Sequence, residues 1–245
     1  LPAQDLAAHA PAIVGKLEDV NYEVRYAAVQ ALAKLPTEAL AAHAPAIVGR
    51  LEHSNSDVRE TAVEALAQLP ADALAAHAPD IVAKLEDSDS DVRRAAVEAL
   101  ATLPAEALAA HAPAIVGKLE DSEWGVRKAV VKTLARLPAK ELTAHAPAIV
   151  GKLEDSDSRV RQAAVEVLAK LPANALEAHA AAIVGKLEDS SSSVRYAAVE
   201  ALAKLPAEAL AAHAPAIVGK LEDSDARVRQ AAVEALATLP AEALA

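Results

Sequence analysis

Histidine recurs every 34 residues, at His9, His43, His77, His111, His145, His179 and His213. Evenly spaced imidazoles can ligate a metal ion or titrate close to neutral pH. Stacked helices lie about 8–10 Å apart, whereas two imidazoles sharing zinc each need a nitrogen about 2 Å from it. No Cys, Asp or Glu sits beside these rings to complete a ligand set. The expectation is a structural role, with each ring bonding exposed backbone near the proline that follows it. No metal site and no cofactor are expected.

Other routes to catalysis are also closed. The chain has no cysteine, no Gly-rich phosphate loop, no Gly-x-Ser-x-Gly and no His-Glu-x-x-His. Carboxylates are plentiful, but they recur in register, and no pair is set apart as an acid and a base would be. No enzyme is expected, and no catalytic residue.

The elements that carry these side chains must be built from little. Of 245 residues, 53% are apolar, yet Phe, Met and Cys are absent, with one Trp and three Tyr. Any core is therefore Leu, Ile, Val and Ala. Dropping three residue types marks a biased, repetitive or engineered chain. Lys and Arg number 24 against 35 Asp and Glu, a net charge of −11. That balance disfavours nucleic acid and anionic membranes as partners. Apolar runs are interrupted well before 18 residues, so no span of a membrane is expected, and the default reading is soluble and cytoplasmic.

The dipeptide Leu-Pro opens a unit at Leu1, Leu35, Leu69, Leu103, Leu137, Leu171, Leu205 and Leu239, always 34 residues apart. The units are 1–34, 35–68, 69–102, 103–136, 137–170, 171–204 and 205–238, with a partial eighth at 239–245. A fixed period of this length signals a solenoid, here one domain over 1–245. Within a unit two helices are predicted, Pro2–Glu18 and Tyr22–Lys34. Leu6, Ala10, Ile13, Val14 and Leu17 form the apolar stripe of the first. Val24, Ala27, Ala28, Ala31, Leu32 and Leu35 form that of the second. Pro2 fits a first helical turn, and Pro11 should kink the first helix or split it. Ser54 with Asp57, and Ser88 with Asp91, have capping-box spacing. Glycine at position 15 of the unit is replaced by Ala83 once, so close helix approach is the expected reason for it.

Pro11, the acidic Asp19 and the pair Val24-Arg25 make the unit resemble a HEAT repeat. Val-Arg returns at Val58-Arg59, Val92-Arg93, Val126-Arg127, Val160-Arg161, Val194-Arg195 and Val228-Arg229. The resemblance covers the whole chain. It implies an all-α fold, an open right-handed solenoid of seven two-helix repeats with the first helix kinked at proline. A closed ring is disfavoured, because 239–245 repeats the opening of unit one and would contend for its slot. Cations in a first helical turn oppose the helix dipole. Asp19, Asp87, Asp121, Asp155, Asp189 and Asp223 are the candidate partners, and the resemblance implies an inter-repeat ladder. Two departures stand out. Ala181 replaces the proline, predicting a straighter first helix in unit six, and His53 replaces the loop aspartate, predicting a weaker loop contact in unit two. The 34-residue period also suits tetratricopeptide repeats, whose aromatic and glycine signature is missing. Short HEAT-like arrays occur in phycobilin lyases too, which makes a lyase the weakest reading.

The positions that vary between units fall on one stripe of the second helix. It reads Tyr22-Tyr26-Gln30-Lys34 in unit one and Trp124-Lys128-Lys132-Arg136 in unit four, and Tyr196 lies on it in unit six. All four aromatic residues are there, and none is in the apolar stripes. Tyr, Trp and Arg are common interface anchors. The expected protein-binding residues are Tyr22, Tyr26, Trp124, Lys128, Lys132, Arg136 and Tyr196, on a concave face that takes a protein or peptide, with an acidic segment favoured. The rival reading is a designed or consensus array without a partner. Weak head-to-tail self-association is expected from uncapped terminal units.

Overall fold

The computed structural model describes residues 6–239, which are helical with no strand among them. Contacts divide the chain into two bodies, residues 1–133 and 134–245. The first holds α1 (Ala10–Gly15), α2 (Tyr22–Leu32), α3 (Thr37–Val48), α4 (Ser56–Leu66), α5 (Ala71–Ala83), α6 (Ser90–Leu100), α7 (Ala105–Gly117) and nearly all of α8 (Trp124–Leu134). The second holds α9 (Ala139–Gly151), α10 (Ser158–Leu168), α11 (Ala173–Ala178), α12 (Ala180–Gly185), α13 (Ser192–Leu202), α14 (Ala207–Val218) and α15 (Ala226–Ala237). Each first helix tightens into a 3-10 turn, such as Lys84–Glu86, before the loop.

Periodicity explains the layers. In α3 and the turn after it, Leu40, Ala44, Ile47 and Leu51 are 0–3% exposed. In α4 the buried set is Val58, Thr61, Ala62, Val63, Ala65 and Leu66. Burying one Leu or Ile is worth about 1.5–3 kcal/mol, and every unit repeats the set. Second helices lie against second helices, α4 on α6 in the first body and α10, α13 and α15 in the second. First helices touch one another less within each body.

Several local expectations are corrected. Pro2 lies outside the described residues, and in the later units the opening proline (Pro36, Pro70, Pro104, Pro138, Pro172, Pro206) is the N-cap rather than the first helical residue. Pro36 has ψ 142°, and its carbonyl accepts from the Leu40 N–H at 3.0 Å. The second helix is capped one residue later than the Ser54 and Ser88 readings, by Asn55 and Asp89, whose side chains accept from Asp57 N–H (2.7 Å) and Asp91 N–H (2.9 Å). In unit one a turn at residues 8–9 does interrupt the first helix just before Pro11, but α3, α5, α7, α9 and α14 run through Pro45, Pro79, Pro113, Pro147 and Pro215. A break also falls in unit six, where proline is missing. At His179 (φ −112°, ψ 5°) α11 gives way to α12. His9, followed by Pro11, takes a similar conformation just before α1. The break thus occurs at His9 and His179, with and without the proline, while the other five recurring histidines lie inside unbroken helices. The His179 N–H bonds Leu176 O, three residues back, at 3.0 Å. Leu176 and Ile183 are buried there at 1% and 0% exposure, as Leu74 and Ile81 are in an unbroken helix.

The glycines do not serve close approach either. A Cβ added at Gly15, Gly49, Gly117, Gly151, Gly185 or Gly219 would meet nothing within 4 Å. Alanine at position 83 is the natural consequence of that open space.

Candidate functional site

Arginine holds the second helices in register. Arg59 Nη1 donates to the carbonyls of His53 (3.0 Å) and Ser54 (3.2 Å) in its own loop. Its Nε and Nη2 reach the next unit, donating to Asp87 Oδ2 (2.8 Å) and Oδ1 (2.6 Å). Arg93 with Asp121, Arg161 with Asp189 and Arg195 with Asp223 repeat this two-pronged bond 28 residues on. Each loop aspartate also accepts an N–H from two residues on, as Asp87 does from Asp89 at 3.0 Å. Burial pushes the carboxyls of Asp87, Asp121 and Asp189 up, and the facing arginine with the loop N–H more than reverses this, leaving them below the usual range. For Asp223 the Arg195 bond is itself the leading cause.

The rung before His53 differs. The imidazole keeps the turn, its Nδ1 accepting the Asn55 N–H at 3.1 Å, but offers Arg25 no carboxylate. Arg25 reaches past it with Nη2 alone to Asp57 Oδ2, at 2.8 Å. Its Nε is buried without a hydrogen-bond partner. The loop contact expected to weaken survives, and the ladder is what suffers.

A second ladder escaped the sequence reading. Lys84 Nζ lies 2.7 Å from Glu52, Lys118 2.6 Å from Glu86, Lys186 2.7 Å from Glu154 and Lys220 2.7 Å from Glu188. Arg50 takes the same place against Glu18, at 3.0 Å. The available signal was recurrence: a cation at position 16 and a glutamate at position 18 of every unit. The histidines behave otherwise than expected. Among the described residues none of the seven recurring rings bonds a backbone group, and His77 Nδ1 lies 3.3 Å from Asp80 Oδ2. His9 and His179 lie on turns and the other five within first helices, all of them at least partly exposed. No group of three or more His, Asp or Glu able to hold a metal is found among the described residues.

The varying stripe lies on the open side of the second helices. Tyr22 and Tyr26 are 64% and 51% exposed, their rings stacked with centroids 6.2 Å apart, and Arg25 lies 5.8 Å from the Tyr22 ring. A hollow of about 270 Å³ spans three successive second helices, touching Tyr26 and Gln30 of α2, Glu64 of α4 with Gln68 just beyond it, and Glu98 of α6 with Thr102 beyond. A second, of about 210 Å³, is lined by Arg94, Glu98, Trp124, Gly125, Lys128 and Lys132. Trp124 is half-buried, and Lys128 Nζ stands 5.8 Å from the indole centroid. That spacing fits a cation–π contact. Arg136 and Tyr196 belong to the second body, where both are exposed.

Sequence reading missed Arg94, the hub of this region. Its guanidinium lies 3.2 Å from Glu60, 3.1 Å from Asp91 and 3.3 Å from Glu98. Burial pushes Glu60 and Glu64 above the usual carboxyl range, neighbouring carboxylates add to it, and Arg94 opposes it. Gly125 was passed over as well. It stands where other units carry Glu23, Asp57, Asp91, Arg159, Ser193 or Arg227, and its bare Cα leaves the hollow open beside Trp124.

Crystal structures of engineered proteins share this fold. One is 24% identical, with a TM-score of 0.64 over 96% of this chain and 70% of that one. Another is 22% identical, with a TM-score of 0.63 over 79% of this chain and 97% of that one. A third, also 22% identical, covers 95% of each chain with a TM-score of 0.52. No protein with a curated function matches the chain. The family model for HEAT repeats matches residues 10–80, 78–169, 113–184 and 180–245. With a two-helix unit, a loop aspartate and an arginine ladder repeated along both bodies, the chain belongs to the HEAT repeat family.

Proposed function

We propose that this chain is a non-catalytic scaffold that binds an acidic protein or peptide segment, with one apolar anchor, along the face of its second helices. The carrying observation is the hollow beside Trp124. Among the described residues neither Lys128 nor Lys132 is paired with a carboxylate, in a protein whose net charge is −11. Like charges four residues apart repel by a few tenths of a kcal/mol, which an anionic ligand would relieve. A hollow bridging three second helices of the first body supports a concave face, with the Tyr22–Tyr26 pair as a further contact. Arg136 and Tyr196, exposed on the second body, are further candidate contacts.

Trp124 is the sole tryptophan, so its fluorescence reports directly on this place. Titration with an acidic peptide bearing a single leucine should shift the emission and saturate. Trp124→Ala should cost about 1–3 kcal/mol of binding, measured by calorimetry. Lys132→Glu should chiefly slow association and flatten its salt dependence. Affinity untouched by both changes together would place the site elsewhere. If no acidic segment binds at all, the rival stands: an array built for its fold, a reading favoured by seven near-identical units and by engineered structural neighbours.

A further inference from the structure

The stripe of second helices changes sign inside the first body. It carries Glu60 and Glu64 in α4, Arg94 and Glu98 in α6, and Lys128 and Lys132 in α8. Arg94, between the two ends, is already engaged by Glu60, Asp91 and Glu98. Glu64 is not: among the described residues its carboxylate is paired with no cation. Burial pushes that carboxyl up, and Glu98 adds to this while Arg94 opposes it, so a cation brought beside Glu64 would be held.

The hollow of about 270 Å³ beside Glu64 is built for such a cation. Its lining includes Glu64 and Glu98 and no Lys or Arg. Its floor is apolar, with Val29, Ala95 and Ala99 only 1–5% exposed. Tyr26, half exposed, supplies an aromatic wall on the α2 side. An arginine side chain uses all three features. Its methylene stem lies on apolar surface, its planar guanidinium stacks on a ring, and its fork of donors meets a carboxylate. Glu98 lines both this hollow and the one beside Trp124, so the two adjoin. Every residue from Tyr26 to Lys132 belongs to the first body.

We propose that this hollow takes an arginine from the same partner segment whose acidic residues meet Lys128 and Lys132, so that the partner is dipolar rather than simply acidic. This rests on the proposal that Lys128 and Lys132 take an acidic segment. The first hollow is centred on α4 and the second lies between α6 and α8. With helices about 8–10 Å apart and an extended segment advancing about 3.3 Å per residue, the arginine falls about four residues from the apolar anchor.

The test compares acidic peptides that bear a single leucine and carry either arginine or glutamine about four residues from it, with the arginine placed before or after the leucine. Binding is read by Trp124 emission and by calorimetry. In one of the two orders arginine should tighten binding about tenfold over glutamine. Glu64→Gln should erase that gain, and Tyr26→Ala should reduce it. Both side chains are exposed, so neither change threatens the fold. Equal binding of the arginine and glutamine peptides in both orders overturns this inference and leaves the acidic-segment reading in place. A gain that survives Glu64→Gln also overturns it, because it is then the general attraction of a chain with a net charge of −11. Absence of binding by every peptide defeats both.

Discussion

Arg59 and Arg25 occupy equivalent places in successive units of the first body, and their surroundings differ by one loop residue. Arg59 faces Asp87 and closes two bonds on it, with side chains 12% and 6% exposed. Arg25 faces His53, stretches to Asp57 with one nitrogen and leaves Nε buried and unbonded. Both keep the bond to their own loop carbonyls, Arg25 Nη1 donating to Asp19 O at 3.0 Å. The helix therefore places the guanidinium, and the next unit's loop decides whether it is satisfied. A guanidinium buried with an idle donor forfeits stability that the same side chain supplies elsewhere.

Breaking the good rung should have the largest effect. Asp87→Ala strands a buried guanidinium and should cost about 3 kcal/mol, read as a drop in the urea midpoint. Asp57→Ala, removing the poorer and more exposed partner of Arg25, should cost clearly less. Equal losses would mean that both rungs are equally strong.

Repairing the poor rung comes next. His53→Asp can keep the turn, because a carboxylate accepts the Asn55 N–H as Asp87 accepts that of Asp89. It also gives Arg25 the partner it lacks, and should stabilise by about 1–2 kcal/mol. A neutral or destabilising result would break the comparison.

Acid titration sharpens it further. A carboxyl whose folded pKa lies below its unfolded value, near 3.9, gives stability that is complete above that value and lost as pH falls through the folded one. Asp87, Asp121, Asp189 and Asp223 are of this kind. Glu60 and Glu64 are raised and act the opposite way: their contribution is present below about 4.3 and lost as pH rises through the folded value. Stability should therefore fall steeply only below about pH 4, and His53→Asp should steepen that limb by at most one proton. An unchanged slope would show that the introduced carboxylate does not meet Arg25.

Position 15 should give the smallest change. Gly49→Ala or Gly117→Ala enters open helical space and should stabilise by about 0.5 kcal/mol each, by reducing the freedom of the unfolded chain. Loss of stability at either would mean that the neighbouring helix comes closer there than the structure places it.

The repeat and the arginine ladder were legible because Leu-Pro and Val-Arg return without slippage and because a cation at a helix start needs a partner. What stayed hidden depends on distances between units. Lys84 and Glu52 look like solvated charges until stacking brings them within 2.7 Å. Ser54 and Asn55 are both good caps, and only the backbone shows that Asn55 holds the place. Proline at 45 or 79 reads as a helix breaker, yet α3 and α5 run through it. On the stripe, Trp124, Lys128 and Lys132 were found by their variation, whereas Arg94 looked like one more surface cation. Its three carboxylates come from one unit back and from both directions along its own helix.

The idle nitrogen of Arg25 also bears on how the array comes apart. In a linear chain of coupled units, each junction contributes its own nearest-neighbour energy, and unfolding starts where that coupling is lowest. The junction between units one and two holds one arginine bond fewer than the junction after it. A deficit of about 1.5 kcal/mol multiplies the population with unit one detached roughly tenfold. Amides of α2 should then exchange with solvent ahead of those in α4 and α6, so that unit one frays while its neighbours hold.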